Sequence, residues 1–345
     1  MRVFVTGGTG FLGTHVVRAH VEAGDEVRCL VRASSPTLAL DGLPVERVEV
    51  ALDRPAEIRK ALEGCDGIQH VAGLFDCSPG GAERMRAVHV DATRHLVEAA
   101  LDVGVPRFVL CSSTVTVGWG TMERPADEDT PPPDPDRVYG RNTGLRAYHD
   151  TKQEGETIAL EAARRGLGVV VTYPDYVIGP WDQKPTSNAM ILQMARHWIP
   201  FWPRGGKCFV DAADCGRAHR AALFHDPPGR RYILGIHNLT YRDFMTRVAH
   251  VVGQVPPVMP LPRTATRLVG LAGAALSRVD PHLAIGLDRQ VLETTAALRF
   301  RDGSRARADL GLSQTPIETS IEAAYRWFVD QGRVPRRGAR LLHFR

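Results

Sequence analysis

Short β-branched runs alternate with amphipathic stretches through the first half of the chain. Residues 2–6 (Arg-Val-Phe-Val-Thr) read as a strand, and residues 11–23 carry apolar side chains at helical spacing. Further strands are expected at 26–32, 45–50, 67–71, 107–112 and 169–173. Helices are expected through Arg59 and Leu62, over 82–103 and over 145–165. The runs Phe108-Val-Leu-Cys111 and Val169-Val-Val171 are almost wholly apolar, as strands covered on both faces must be. Strand–helix alternation of this kind implies right-handed βαβ units, hence an α/β fold with a doubly wound parallel sheet.

The pattern breaks twice. Prolines and acids over 125–136 (PADEDTPPPDPD) oppose regular structure and predict a long loop at the carboxyl edge of the sheet, where functional loops sit. Beyond Gly179 the alternation stops and prolines recur. The economical organisation is a first domain over 1–179, rejoined by about 208–227, and a smaller discontinuous C-terminal lobe from 180–207 and 228–330. A basic tail, 331–345, follows. The apolar faces of the helices at 82–103 and 145–165 would either cover the sheet or pair across a two-fold axis in a homodimer.

Composition narrows the class without naming it. The 345 residues are 43% hydrophobic and 24% charged, ordinary for a globular protein, and the net charge of +4 is spread along the chain. Nothing in that balance argues for nucleic-acid binding. The six cysteines include no CxxC pair and the thirteen histidines no HExxH, so neither a disulfide framework nor a metal site is expected. The first strand begins at residue 2, leaving no room for a signal peptide, and the apolar stretch 269–276 is too short to span a bilayer. The expectation is a soluble, cytoplasmic protein.

Chemistry enters at the first turn. Thr6-Gly-Gly-Thr-Gly-Phe-Leu-Gly13 joins the first strand to the first helix. Glycines at 7, 10 and 13 permit positive φ, close approach of backbone N–H groups to a pyrophosphate, and tight strand–helix packing. Gly7, Gly10, Phe11, Leu12 and Gly13 are therefore the expected floor of a dinucleotide site. An NAD-preferring site places an acid at the end of the second strand, to hold the ribose hydroxyls. Here that point reads Leu30-Val-Arg32-Ala-Ser34, with no acid. Arg32 instead offers a cation to a 2′-phosphate, which favours NADP(H) over NAD(H).

Downstream, Tyr148-His-Asp-Thr-Lys152 opens a helix, and positions i and i+4 share a helix face. A free tyrosine titrates near pH 10. A lysine cation beside the ring favours the phenolate, so such a pair suits general acid/base work on a carbonyl–alcohol couple. Ser113, at the end of the fifth strand, is the candidate second donor to the substrate oxygen.

These motifs, in this order, resemble the extended short-chain dehydrogenase/reductase group, that is, the NAD-dependent epimerase/dehydratase superfamily with its Rossmann domain. The resemblance runs through the glycine turn, Asp53 after the third strand, His70-Val-Ala-Gly73 after the fourth, Ser113, Tyr148 and Lys152, and Tyr173-Pro-Asp-Tyr-Val-Ile-Gly-Pro180. The chain is most similar to the dihydroflavonol-reductase and 3β-hydroxysteroid-dehydrogenase branch. The resemblance implies a catalytic set of Ser113, Tyr148 and Lys152. It also implies a nicotinamide cofactor touching Asp53, Ala72, Gly73, Tyr148, Lys152 and Pro174. Where the family usually has asparagine this chain has His89, which puts an asparagine-supported proton relay in doubt. The expected activity is an NADP(H)-dependent reductase or dehydrogenase acting on a ketone–secondary alcohol pair of a lipophilic small molecule. Trp181, Trp198 and Trp202 are candidates for that substrate's pocket, or for core packing in the second lobe. The alternative activity is a nucleotide-sugar epimerase or dehydratase with retained cofactor. A catalytically silent cofactor sensor would not need the intact Ser113–Tyr148–Lys152 set.

Overall fold

The structure, a computed structural model, describes residues 1–141, 143–225, 229–262 and 295–334. Its organising element is a seven-stranded sheet. In chain order the strands are β1 (Arg2–Thr6), β2 (Glu26–Val31), β3 (Val45–Glu49), β4 (Gly67–His70), β5 (Arg107–Cys111), β6 (Gly168–Pro174) and, much later, Arg230–Leu234. The spatial order is Arg230–Leu234, β6, β5, β4, β1, β2, β3, and every pairing is parallel. This is the doubly wound Rossmann arrangement. Its order reverses between β1 and β4, and a crevice for a ligand opens there, outside the carboxyl ends of the strands.

Helices cover both faces. On one lie α1 (Phe11–Glu22) and, from later in the chain, Ala212–Leu223 and Ser304–Leu310. Their Val17, Cys215, Ala218 and Leu310 pack with Val3, Val5 and Val109 of the sheet. On the other lie α2 (Pro55–Leu62), Ala92–Val103 and Gly144–Arg164, whose Ile58, Leu62, Leu96 and Ile158 meet Phe4, Ile68 and Phe108. Each fully buried valine, isoleucine or phenylalanine in these layers contributes roughly 1.5–3 kcal/mol.

The helix expected at 82–103 is interrupted. It runs as Gly81–Arg86, then a π-helical turn at Ala87–Asp91, then Ala92–Val103. The turn is accommodated by a close neighbour: Thr93 Oγ1 donates to His89 O at 2.6 Å, and a Cβ at Gly155 would overlap that same carbonyl oxygen. The loop expected at 125–136 is shorter and better tethered than its prolines suggested. Asp134 caps a short helix, Pro135–Tyr139, and Ala126 bridges to Arg301.

A second sheet orders His237–Thr240, Gly206–Asp211 and Leu298–Arg299, with Tyr176–Ile178 also paired to Gly206–Asp211. Helices Ala189–Arg196, Tyr241–Val252 and Ile317–Asp330 close over it on a core of Ile178, Phe209, Phe244 and Ile321. The return to the first sheet therefore differs from the expected 208–227. Strand Gly206–Asp211 stays with the second sheet, helix Ala212–Leu223 packs on the first, and Arg230–Leu234 completes the first sheet beside β6. Tail residues 335–345 and the apolar stretch 269–276 lie outside the described residues. Among the described residues no helix is long and apolar enough to cross a membrane, and no cluster of metal-ligating side chains forms. Cys29, Cys65, Cys111, Cys208 and Cys215 are buried and form no disulfide among the described residues.

Candidate active site

The glycine turn sits where the sheet order reverses. Gly7 has φ of 73°, and a Cβ there would lie 2.6 Å from Ala72 N, so the turns after β1 and β4 can touch only through glycine. Gly10 N donates to Gly7 O at 2.9 Å, and a Cβ at Gly13 would overlap that oxygen. At Gly10 itself a Cβ would meet nothing nearer than Gly7 O at 3.1 Å, which leaves the mouth of the turn open. Helix α1, whose first turn includes Phe11, Leu12 and Gly13, starts there with no side-chain cap and no acid in its first turn. An open, uncapped, acid-free helix start fits a pyrophosphate.

Arg32 follows β2 and is exposed. Its Nε and backbone N–H both lie 3.4 Å from Ser35 Oγ, and it forms no ion pair with any described residue. Asp53 stands in the turn before α2, its side chain 80% exposed and 4.0 Å from neighbouring Arg54. Gly73 follows β4, and a Cβ there would lie 3.5 Å from Lys152 Nζ. Pro174 ends β6 opposite Leu234.

The long helix Gly144–Arg164 begins at a Thr143 cap whose Oγ1 accepts from Arg146 N at 3.0 Å. Three residues one turn apart, Tyr148, Lys152 and Glu156, run along one face toward the carboxyl end of β5. Lys152 Nζ donates to Cys111 O at 3.0 Å. Glu156 accepts from Ser112 Oγ, from Thr116 Oγ1 at 2.6 Å and from Tyr173 OH at 3.0 Å. Burial pushes the Glu156 carboxyl above its usual range, and the three hydroxyl donors and Lys152 pull it back. Ser113 is thus framed by residues bound to this helix. Its Oγ accepts from Val115 N at 3.3 Å, capping the turn Thr114–Thr116, so the hydroxyl proton stays free for another acceptor.

Tyr148 is half-buried between two rings, Phe75 at 5.3 Å and His89 at 5.5 Å, both edge to face. His89 is held by two hydrogen bonds. Leu74 N–H donates to its Nε2 at 3.1 Å, which assigns the ring proton to Nδ1, and Nδ1–H donates to Thr151 Oγ1 at 2.9 Å. Thr151 Oγ1 passes its own proton to Ala147 O at 2.8 Å. Burial, then the Lys152 cation, pushes His89 down to about 2. The same two causes push His70 down to about 3, and His70 bridges Thr6 Oγ1 at 2.7 Å and Thr93 Oγ1 at 3.1 Å. Both imidazoles beside Lys152 are therefore neutral.

The three candidate pocket tryptophans have separate surroundings. Trp181 packs against Trp327 at 6.2 Å under Arg18, Trp202 lies under Arg242 at 5.1 Å, and Trp198 is 53% exposed. Sequence reasoning passed over Glu156, although its spacing from Lys152 repeats that of Tyr148. It also passed over Arg299 and Arg301, whose alternation with Leu298 and Phe300 places both on one strand face.

Residues 3–235 match the family model described as the NAD dependent epimerase/dehydratase family. A Synechocystis protein named "Putative dihydroflavonol 4-reductase" is 31% identical over 342 residues, covering 96% of this chain and 95% of its own. A rice protein named cinnamoyl-CoA reductase 1 is 31% identical over 346 residues, covering 96% of this chain and 92% of its own. The crystal structure of gox2253 superposes with a TM-score of 0.79 at 30% identity, covering 96% of this chain and 99% of that one.

Proposed function

Because the chain belongs to the NAD-dependent epimerase/dehydratase family, we propose that it is an NADP(H)-dependent oxidoreductase interconverting a ketone and a secondary alcohol on a lipophilic small molecule. NAD(P)-dependent chemistry on small molecules is common ground across the family and the similar proteins. The observation that carries the finer reading is the Lys152–Cys111 hydrogen bond, which ties the Tyr148 helix to the strand end that presents Ser113.

Gly7, Gly10 and Gly13 would cradle the cofactor's pyrophosphate, Arg32 and Ser35 its 2′-phosphate, and Gly73, Lys152 and Pro174 its nicotinamide end. When bound, the cofactor supplies or accepts a hydride. Ser113 donates its free hydroxyl proton to the carbonyl oxygen and orients it. Tyr148 delivers a proton to that oxygen on reduction and removes it on oxidation. Lys152, anchored on Cys111 O, would hold the nicotinamide ribose with its remaining ammonium protons. Neutral, doubly bonded His89 holds the Tyr148 helix against the loop after β4 without moving a proton. Phe75, 46% exposed and packed on Tyr148, offers an apolar wall beside the proton donor, which suits a lipophilic substrate. The similar proteins from Synechocystis and rice are both named as reductases.

The test is incubation with NADPH and a panel of aromatic and alicyclic ketones, followed at the cofactor's absorbance. Net oxidation with formation of the secondary alcohol is expected. Tight cofactor retention with interconversion of a nucleotide sugar, and no net oxidation, would replace this reading with an epimerase or dehydratase.

A further inference from the structure

A second polar cluster borders this site from the C-terminal lobe. Strand Leu298–Arg299 pairs with Gly206–Asp211 so that Arg299 sits opposite Lys207. The next residues carry the chain across the loop that follows Ser113: Gly120 N donates to Phe300 O at 3.0 Å and Asp302 N to Ala126 O at 2.7 Å. Strand alternation turns Arg299 and Arg301 to the same side. Arg301 reaches both edges of the candidate active site. One of its Nη atoms donates to Thr114 O at 2.7 Å, beside Ser113, and the other to Asp175 Oδ2 at 2.5 Å, beside Pro174.

Arg299 is different. It is 7% exposed, and its Nε has no hydrogen-bond partner among the described residues. No carboxylate among the described residues pairs with it. The indole of Trp119 lies 4.5 Å from its Cζ and the ring of Tyr139 5.9 Å away. Tyr139 in turn donates to Val115 O at 3.2 Å, two residues past Ser113. The aromatic faces offset part of the charge and the Tyr139 hydroxyl engages the guanidinium, but the Nε–H finds no partner among the described residues. Lys207 adds a third cation. Its Nζ is 3.5 Å from Asp175 Oδ1, and burial pushes it down to about 8. Lys207 and Arg301 thus share the Asp175 carboxylate, and Arg299 stands beside them with no carboxylate partner among the described residues, where an unpaired charge is costly.

We propose that this face, with Arg299 as its anchor and Lys207 beside it, receives an anionic group of the substrate, a carboxylate or a phosphate. The inference rests on the reading that Ser113 and Tyr148 hold the reacting oxygen, since it places the anion at the other end of the same molecule. The substrate is then amphipathic: an apolar body, a ketone or secondary alcohol at one end, and an acid at the other. A planar guanidinium whose Nε–H is unspent suits capture of either oxyanion.

The test is calorimetric titration of the full chain, saturated with NADPH, with 4-phenylbutyrate, phenyl phosphate and the neutral 4-phenylbutyramide. At least one anion is expected to bind about tenfold or more tighter than the amide, and Arg299→Met to lose that preference while NADPH affinity is kept. The anion that binds identifies the group. Lys207→Gln, at a half-buried position, is expected to weaken anion binding severalfold and covers the case in which Arg299→Met does not fold. No turnover is involved, so Tyr148→Phe protein must bind the anion as the unaltered chain does, and failure of ketone reduction is read separately. Equal affinity for the amide, no binding of either anion, or unchanged anion affinity in the folded variants overturns the proposal.

Discussion

Lys152 Nζ donates a 3.0 Å hydrogen bond to Cys111 O, the carbonyl two residues before Ser113. This bond spends one of the ammonium's three protons on the strand end and leaves two for other partners. It also fixes the rotation of the helix Gly144–Arg164, because Glu156 one turn further on is held by Ser112 and Thr116 from the same segment. The hydroxyls of Tyr148 and Ser113 are thereby set by one rigid junction rather than by two independent loops.

Tyr148→Phe removes the transferable proton and keeps the ring contacts with Phe75 and His89. NADPH affinity and melting temperature are expected to stay within error of the unaltered protein, while kcat falls by about 10²-fold or more. Steady-state kinetics beside a fluorescence titration of NADPH checks this. Turnover within a few-fold of the original would remove Tyr148 from proton transfer.

His89 holds Leu74 N–H and Thr151 Oγ1 through opposite ring nitrogens, so shortening it leaves a backbone donor without its acceptor. His89→Ala is expected to destabilise the fold by about 1–3 kcal/mol and to lower kcat more than it raises KM for NADPH. His89→Asn presents both a carbonyl acceptor and an amide donor and should restore most of the loss. Since the imidazole is pushed down to about 2, it takes up no second proton in the working range. The kcat–pH profile from pH 6 to 9 should therefore be the same in the unaltered protein and in His89→Asn. A displaced limb in the variant would show a relay passing through the ring.

The contrast between these two residues bears on what the chain discloses before it folds. The shape of the glycine turn and the shared helix face of Tyr148 and Lys152 were legible because both are local geometry: positive φ at Gly7, and one helical turn between two side chains. The identity of His89 was legible as a departure from the family, but its role was not. That role depends on a π-helical turn and on the loop after β4 arriving beside it. Glu156 lay at readable spacing, yet its partners come from Ser112, Thr116 and Tyr173 on two other strands' ends. Arg299 was invisible for the same reason. Only the pairing with Lys207 and the loop bridge at Gly120 bring it near Ser113. Of the two readings open for the tryptophans, pocket or core packing, Trp181 and Trp202 pack against hydrophobic clusters of the second lobe, while Trp198 is exposed.

Arg32 has no carboxylate partner among the described residues and no acid stands at the end of β2, so the cofactor preference hangs on one guanidinium. NADPH should bind more tightly than NADH. Arg32→Ala should weaken NADPH by about 10- to 100-fold, the value of a charge-assisted contact, with little change for NADH. Equilibrium titration of both cofactors on both proteins decides it, and tighter NADH binding by the unaltered chain would refute the assignment.

His219 supplies a prediction about stability away from the site. Its ring is fully buried in the helix Ala212–Leu223, with Nε2 3.2 Å from Thr172 Oγ1 and Nδ1 without a partner among the described residues. Burial, then the nearby His20, pushes it down to about 3. The sign follows from linkage. A histidine whose folded value lies below the unfolded value of about 6.5 binds fewer protons in the folded state across the interval between them. Its neutral form therefore supports the fold fully above pH 6.5, and that support is lost as pH falls from there toward 3. The loss is about 1.4 kcal/mol per pH unit for each such group. His15, His20, His70 and His89 are lowered for the same leading reason, burial, so their slopes add to it. Denaturant unfolding at intervals from pH 7.5 to 4.5 should show stability falling below about pH 6.5. In His219→Gln the slope between pH 6 and 4.5 should be shallower by about one proton, provided the variant folds at pH 7.5. A slope unchanged by that substitution would mean that His219 accepts its proton within the folded protein.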